Sequence, residues 1–197
     1  MKVSSAEKSK AHQRIIDSAK ELFKSKGIEK TSVAQVMNAA GLTHGGFYRH
    51  FADKKSLIEV TIQSSFAEVC DSLQDGFQKK SPMAVVDQYS ELYLSKKHLI
   101  NPQQGCPIAT LATEISKEGH EFKEIFSVGF EELIQRLKAG STGNNMEREA
   151  DAIRKIAMMA GAVVIARASN AKTAKKVLES CRANPDYATR TVEAELQ

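Results

Sequence analysis

A short segment around position 45 contains residue types that can contact a nucleic acid. At helical spacing His44, Gly45, Tyr48 and Arg49 share one face of a helix, and Phe47 lies on the other face. Arginine can donate two hydrogen bonds to guanine, histidine can donate one, and glycine lets a helix backbone come close to a DNA groove. Because so short a helix is not stable alone in water, a packed body must hold it in place.

The residues before this segment predict a second short helix and a glycine turn. Apolar residues recur with helical periodicity at Val33, Val36, Met37 and Ala40. Ser32 and Gln35 have the form of a capping box, Gly41 suits a left-handed helix end, and Thr43 can cap the following helix. Two helices joined by such a turn form a helix-turn-helix, whose second helix can lie in the DNA major groove.

Cys106 is the cysteine whose position suggests chemistry. Pro107 suits the first position of a helix, which would make Cys106 its N-cap. The unpaired N–H groups at a helix start favour a thiolate, and so do the charges of Lys96 and Lys97 in the preceding segment. Two interpretations remain open at this position, a thiol that senses oxidants or electrophiles and a small buried residue that only packs.

The composition predicts a helical protein with a basic N-terminal part. The chain has 197 residues, with a low aromatic content and four prolines. Residues 1–60 contain 11 Lys or Arg and 6 Asp or Glu, a net charge of +5, whereas the remaining residues contain 17 and 18, a net charge of −1. A basic region on an otherwise neutral protein is typical of a surface that binds phosphates.

Several other classes of protein are disfavoured. The chain has no run of about 18 apolar residues and no apolar signal sequence, so we expect it to be cytoplasmic and to have no membrane partner. Cys70, Cys106 and Cys181 are odd in number and far apart, so we expect no disulfide framework, no metal and no cofactor. The hydrolase motif G-x-S-x-G and the phosphate-binding motif G-x-x-x-x-G-K-[ST] are both missing.

A longer spacing pattern runs through the segment from Arg14 to Glu59. Its fixed points are Phe23, Gly27, Thr31, Gly41, Tyr48, Lys54 and Leu57. In these residues and their spacing the segment resembles the DNA-binding end of the tetracycline-repressor (TetR) family of bacterial regulators. The resemblance implies an all-α protein, with a three-helix helix-turn-helix head at residues 1–53 and a larger effector-binding and dimerisation body at residues 54–197. It also implies a homodimer that binds double-stranded palindromic DNA.

Nine residues are expected to contact DNA. Arg49 and His44 point outward and are expected to contact bases, and Gly45 and Gly46 would let the helix backbone approach the groove. By resemblance to the family, the residues at helix starts or on the outer face would hold phosphates: Thr31, Ser32, Thr43, Tyr48 and Lys54. His50 could serve either the surface or the core.

The body is expected to contain an effector pocket. Tyr89 and Tyr93 bring hydroxyl groups to an apolar helix face, although each also suits an ordinary core position. Together with Phe66, Cys106 and Thr110 they are candidates to line a cavity for an unknown small apolar or electrophilic effector.

Two long helical segments near the C-terminus are candidates for the dimer interface. The first contains Phe122, Phe126 and Leu133, and the second contains Ala157, Ala160 and Val164. Their apolar and small side chains suit a four-helix interface between two copies, and packing inside one chain is the other interpretation.

The preferred functional interpretation is a repressor that a small-molecule or thiol-reactive signal releases from its operator. The first alternative is a redox or electrophile sensor that uses Cys106 and has no reversible ligand. A helical enzyme that pairs Cys106 with a histidine is disfavoured by the missing motifs. A helical adaptor that binds another protein is disfavoured by the uneven charge.

Overall fold

The structure is a computed structural model that describes residues 5–182, and every regular element in that range is helical. The α-helices are α1 (Ser5–Lys26), α2 (Val33–Ala39), α3 (Lys54–Phe77), α4 (Pro82–Tyr93), α5 (Lys96–Ile100), α6 (Ile108–Ile115), α7 (His120–Leu137), α8 (Asn145–Arg167) and α9 (Ala171–Arg182). Short 3-10 helices occupy His44–Arg49, Pro102–Gln104 and Lys138–Gly140. The predicted all-α fold class is therefore confirmed.

The helix boundaries follow from local sequence signals. Gly27 ends α1 with φ of 93°, and its N–H donates to the Phe23 carbonyl at 2.9 Å. Asp53 caps α3, because its carboxylate accepts from the Ser56 N–H at 2.7 Å. Asn144 and Glu147 form a capping box at the start of α8. These local interactions account for the end of α1 and for the starts of α3 and α8.

The first compact unit comprises residues 5–72 and 102–133. Its interior consists of apolar side chains from α1, α2, the first 3-10 helix and α3: Ile15, Phe23, Met37, Phe47, Leu57, Ile62 and Phe66. α6 also packs against α1 in this unit. The unit therefore contains the whole helix-turn-helix segment together with the helices that support it.

The second compact unit comprises residues 73–101 and 134–182. α8 and α9 pack against each other, and α8 also contacts α5. Arg167 of α8 donates to the carbonyls of His98 and Leu99 at 3.0 and 3.2 Å, which fixes α5. The sequence did not predict α5, because a five-residue helix is too short to show a period.

The predicted boundary at residue 53 separates head from body, and it differs from this division by contacts. α3 and α7 each contribute residues to both compact units. The assignment of residues 1–53 and 54–197 to separate functions stays a prediction. Residues 1–4 and 183–197, for which the sequence predicted no site residue, lie outside the described residues. No helix within residues 5–182 is long and apolar enough to cross a lipid bilayer.

Candidate nucleic-acid interface

α2 and the 3-10 helix at His44–Arg49 form the helix-turn-helix. The capping box of α2 is present: Ser32 Oγ accepts from the Gln35 N–H at 3.2 Å, and Gln35 Oε1 accepts from the Ser32 N–H at 2.8 Å. Gly41 takes φ of 67° in the turn, a conformation that glycine adopts at no steric cost. The turn lets the chain reverse over a few residues and present the second helix.

The second helix is a single 3-10 segment rather than an α-helix. Its core side is held by Phe47, of which 1% is exposed, and by Phe51, which stacks on it with ring centroids 5.7 Å apart. Thr43 occupies the N-cap position but its side chain makes no capping hydrogen bond, so the predicted cap is wrong in its chemistry. Two adjacent glycines weaken helix formation here, which accounts for the short irregular element.

The outer face of this helix is open to solvent. His44, Gly45 and Arg49 are exposed, and 69% of the Tyr48 side chain is accessible. Ser32 and Thr43 are also exposed, whereas Gly46 is half-buried. The structure thus brings most of the predicted DNA-contacting residues to one surface region around the 3-10 helix.

Thr31 is a correction to the prediction. Its side chain is fully buried, and its hydroxyl donates to the Gly27 carbonyl at 2.7 Å. Thr31 therefore closes the loop between α1 and α2, and its side chain is not on the surface that was predicted to hold phosphates.

Lys54 has an additional role that the sequence did not reveal. Its ammonium donates to the Ile28 carbonyl at 2.7 Å, so it ties the start of α3 to the α1–α2 loop. The N–H of the same Ile28 donates to a carboxylate oxygen of Glu114 in α6 at 2.5 Å. Both backbone polar groups of Ile28 are therefore hydrogen-bonded to side chains, which fixes the loop before the helix-turn-helix.

His50 belongs mainly to the packing of this unit. The His12 ring stacks on the rings of His50 and Phe51, with centroids 5.8 and 4.7 Å away. His50 Nδ1 is enclosed, with no hydrogen-bond partner among residues 5–182. Desolvation lowers the pKa of His50, and the positive charges of His12, Lys8 and Arg49 lower it further. Its uncharged form is thereby favoured.

Cys106 is buried, with 5% of its surface exposed, and it is the residue before the N-cap of α6 rather than the N-cap itself. α6 begins at Ile108 with Pro107 as its N-cap, because the Pro107 carbonyl accepts the first backbone bonds, from Leu111 at 2.7 Å and Thr110 at 3.3 Å. The Cys106 carbonyl instead accepts from the Thr110 hydroxyl at 3.0 Å. The predicted N-cap role of Cys106 is therefore wrong.

Lys24 of α1 is a basic neighbour of Cys106 that sequence reasoning missed. Only 8% of Lys24 is exposed, and burial lowers its pKa. The charges of Glu68 and of a Cys106 thiolate oppose that shift, which shows that both groups are close enough to interact with the ammonium. Lys20 and Lys24 follow the buried Ile16 at four-residue spacing, so all three lie on the same face of α1. This spacing could have indicated from the sequence that a lysine is partly buried.

The predicted effector-pocket residues are divided between the two compact units. Phe66, Cys106 and Thr110 lie in the first unit, where the Phe66 ring packs edge-on against Phe126 at 5.2 Å. Tyr89 and Tyr93 lie in the second, with ring centroids 5.7 Å apart. Their shared use as a pocket stays a prediction.

The predicted dimer-interface residues differ in exposure. Phe122 and Leu133 are buried inside the chain, with 5% and 0% exposed, so their assignment to a surface is wrong. Phe126 is half-buried and Ala160 is 8% exposed. Ala157 and Val164 of α8 are exposed. The surface available to a second copy therefore includes α8, on which Ile153 and Ile165 are also exposed.

Comparison with known proteins agrees with this geometry. The family model described as bacterial regulatory proteins of the tetR family matches residues 15–61. The HTH-type transcriptional regulator AcrR of Shigella flexneri is 34% identical over 76 residues, which are 39% of this chain and 35% of that protein. The chain matches less than half the length of AcrR and of a second curated relative, the uncharacterized HTH-type transcriptional regulator YfiR of Bacillus subtilis. Both relatives are named as HTH-type transcriptional regulators.

Solved structures share the fold over most of the chain. A TetR transcriptional regulator from Legionella pneumophila superposes with a TM-score of 0.74 at 18% identity, and covers 92% of this chain and 96% of that one. The reduced form of NemR from E. coli superposes with a TM-score of 0.73 at 16% identity, and covers 88% and 94%. At these identities the similarity establishes the fold alone.

Proposed function

The chain belongs to the TetR family of bacterial regulatory proteins, and from this premise we propose that it is a homodimeric transcriptional regulator that binds a palindromic DNA operator. The observation that carries the proposal is the exposed face formed by His44, Gly45, Tyr48 and Arg49 on a helix whose other face is anchored by Phe47. A cytoplasmic location and a repressor role go with this proposal.

The contacts to DNA divide into two kinds. Arg49 and His44 supply hydrogen-bond donors for base edges in the major groove. Ser32, Thr43 and Tyr48 are exposed around the same helix and would contact phosphates, which fix the position of the protein on the duplex. The positive charge of Lys54 can also attract the DNA phosphates while Lys54 keeps its hydrogen bond to the Ile28 carbonyl.

Dimerisation would use the exposed apolar surface of α8. Ile153 and Val164 are 42% and 45% exposed, and a Cβ placed on Gly161 would have no described heavy atom within 4 Å. Small and apolar side chains at these positions leave room for another helix to pack closely. Two-fold symmetry would place two reading helices about 34 Å apart, one turn of DNA, so the operator would be a palindrome.

Release from DNA requires a signal, and the preferred one is a small apolar or electrophilic molecule. A ligand that prefers a conformation with the wrong head separation shifts the population away from DNA. A nearly complete shift requires a preference of about 10³- to 10⁴-fold. Phe66, Cys106 and Thr110 of the first compact unit are the candidates to contact this ligand, whose identity is open.

A second candidate signal is modification of Cys106 without a reversible ligand. The positive charge of a Lys24 ammonium would favour a thiolate at Cys106, whereas burial lowers the pKa of Lys24. A thiolate attacks an α,β-unsaturated carbonyl. A bond forms from sulfur to the β-carbon, the π electrons pass to the carbonyl oxygen, and water then protonates the α-carbon. NemR, a protein of similar fold, was crystallised in a form described as reduced.

α6 offers a route from this thiol to the DNA-binding surface. Cys106 precedes its first turn, and Glu114 near its other end accepts from the Ile28 N–H of the α1–α2 loop. An adduct on a residue that is 5% exposed needs space that the packed structure does not have. Its formation would therefore displace α6 and loosen the hold of Glu114 on the loop.

The experiment for the signal compares the wild-type protein with Cys106→Ser in gel shifts on a selected operator. After treatment with a mild electrophile, wild type should lose at least tenfold in DNA affinity, mass spectrometry should find the adduct on Cys106, and Cys106→Ser should be unaffected. Cys181→Ser, a variant of a half-buried cysteine, is the matched control and should respond like wild type. Full retention of DNA affinity by the modified wild type would exclude the thiol signal.

A further inference from the structure

Gly45 and Gly46 are not required by the backbone of the 3-10 helix. Among the described glycines only Gly27, Gly41 and Gly143 have φ in the left-handed region. An alanine at position 45 or 46 would therefore adopt the same backbone without strain. Alanine would also favour a helical conformation over glycine by up to about 1 kcal/mol, a value for α-helix interiors.

The two glycines differ in what surrounds them. A Cβ on Gly46 would lie 3.6 Å from Met37 Cε and 3.7 Å from Thr43 Oγ1, so it would point toward the protein in ordinary contact. A Cβ on Gly45 would have no heavy atom of the described residues within 4 Å. The missing side chain at position 45 thus leaves a space that opens outward, on the face that carries His44 and Arg49.

The face that carries this space also presents apolar groups beside the polar side chains of His44 and Arg49. Gly45 itself presents only a Cα methylene, and on the same face Tyr48 presents an aromatic ring that is 69% exposed. In the major groove the apolar group on a base edge is the 5-methyl of thymine, whereas the other bases present hydrogen-bonding groups.

We propose that the bare backbone at Gly45 receives the 5-methyl group of one thymine in each operator half-site, so that this glycine determines a T·A base pair. The proposal rests on the proposed binding of this face to the major groove. It assigns a base preference to a residue without a side chain, whereas Arg49 and His44 read bases through donors.

The test starts from a duplex selected by the wild-type protein from a random pool. Each thymine of a half-site is then replaced by deoxyuridine, which removes only the methyl group. One replacement should weaken wild-type binding about fourfold per half-site, the factor for burial of one methyl-sized group. If wild type selects no duplex, the proposed function fails; if it selects one and no replacement has an effect, only the thymine contact fails.

Gly45→Ala provides the decisive comparison, and Thr113→Ala, a change at an exposed residue of α6 outside the proposed DNA-binding surface, is its control. On the thymine operator Gly45→Ala should bind at least tenfold more weakly than wild type, because two methyl groups would occupy one space. On the deoxyuridine operator it should recover most of that loss, whereas Thr113→Ala should follow wild type on both duplexes. Thermal unfolding of Gly45→Ala at or above the wild-type temperature shows that it folds. Equal binding of both operators by Gly45→Ala, whether strong or weak, would overturn the proposal.

Discussion

Tyr48 and Arg49 are adjacent and exposed, yet their chemistry gives them different contacts with DNA. The phenol of Tyr48 can hydrogen-bond to one phosphate, which every sequence offers, whereas the guanidinium of Arg49 can make a bidentate contact that only guanine offers fully. Tyr48 is therefore expected to contribute to affinity for any DNA, and Arg49 to the choice of sequence.

Arg49→Ala is predicted to relax the preference at one base pair per half-site, with a loss of about 1–3 kcal/mol in discrimination. Tyr48→Phe is predicted to weaken binding by the same factor for every DNA sequence. Gel shifts on the selected operator and on single-base variants measure both effects. The base-reading role of Arg49 is wrong if its alanine variant loses affinity uniformly, as Tyr48→Phe does.

His50 is predicted to make the fold less stable in mild acid. Its pKa is lowered in the folded state by desolvation and by the charges of His12, Lys8 and Arg49, so the unfolded chain binds more protons below pH of about 6.5. The contribution of the neutral His50 ring to the free energy of unfolding is fully present above that pH, and it is lost as the pH falls through the folded-state pKa of His50.

Urea unfolding at pH 7.5 and 5.5 measures the effect of His50. The free energy of unfolding of wild type should fall more between these pH values than that of His50→Gln, whose side chain does not titrate. The same loss in both proteins would remove His50 as a source of the pH dependence.

At the scale of elements, α6 supports the loop that leads into the helix-turn-helix. Glu114 accepts a hydrogen bond from the Ile28 N–H, and Lys54 donates to the Ile28 carbonyl from the start of α3. Gly27 precedes this residue, and a Cβ there would collide with the Glu114 carboxylate. The close approach of α6 therefore depends on a glycine that also ends α1.

Glu114→Leu is predicted to destabilise the protein by about 1–3 kcal/mol, because a partly buried N–H loses its acceptor. Glu114→Gln keeps an oxygen acceptor and should lose less. Thr113→Ala changes an exposed neighbour on the same helix and is the control. Denaturant unfolding of the three variants measures these differences, and equal stability of Glu114→Leu and wild type would show that the contact contributes nothing.

The sequence predicted the elements better than their contacts. Helical periodicity, the capping box and Gly41 located α2 and the turn after it, because these signals are local along the chain. The burial of Thr31 and the proximity of Lys24 to Cys106 depend on how the loop and α6 pack, which no local pattern encodes. Phe122 and Leu133 were misassigned because an apolar helix face looks the same whether it packs within one chain or between two.

For the whole molecule, the proposed binding to a palindrome requires two copies of the chain. One duplex half-site offers too few contacts for tight specific binding, and two joined half-sites raise the effective concentration of the second head. The exposed Ile153, Ala157 and Val164 on α8 are the residues on which association is proposed to depend.

Val164→Arg is predicted to produce a folded monomer that binds the operator at least tenfold more weakly at nanomolar concentration. A charge at an apolar contact with a second helix would be buried without a partner. Light scattering measures the mass, and helical circular dichroism measures folding. Lys172→Glu on the exposed side of α9 is the control and should remain dimeric. A dimeric Val164→Arg would place the interface elsewhere.

Sedimentation of a labelled, selected duplex with the wild-type protein at 50 and 200 mM salt measures both the number of bound chains and the affinity. We expect two chains per palindromic duplex. We also expect the affinity to fall by about 10³- to 10⁵-fold between the two salt concentrations, if 6 to 10 phosphates are neutralised. A protein that sediments as a monomer and leaves the duplex unbound at 50 mM salt would contradict the proposed dimeric DNA binding.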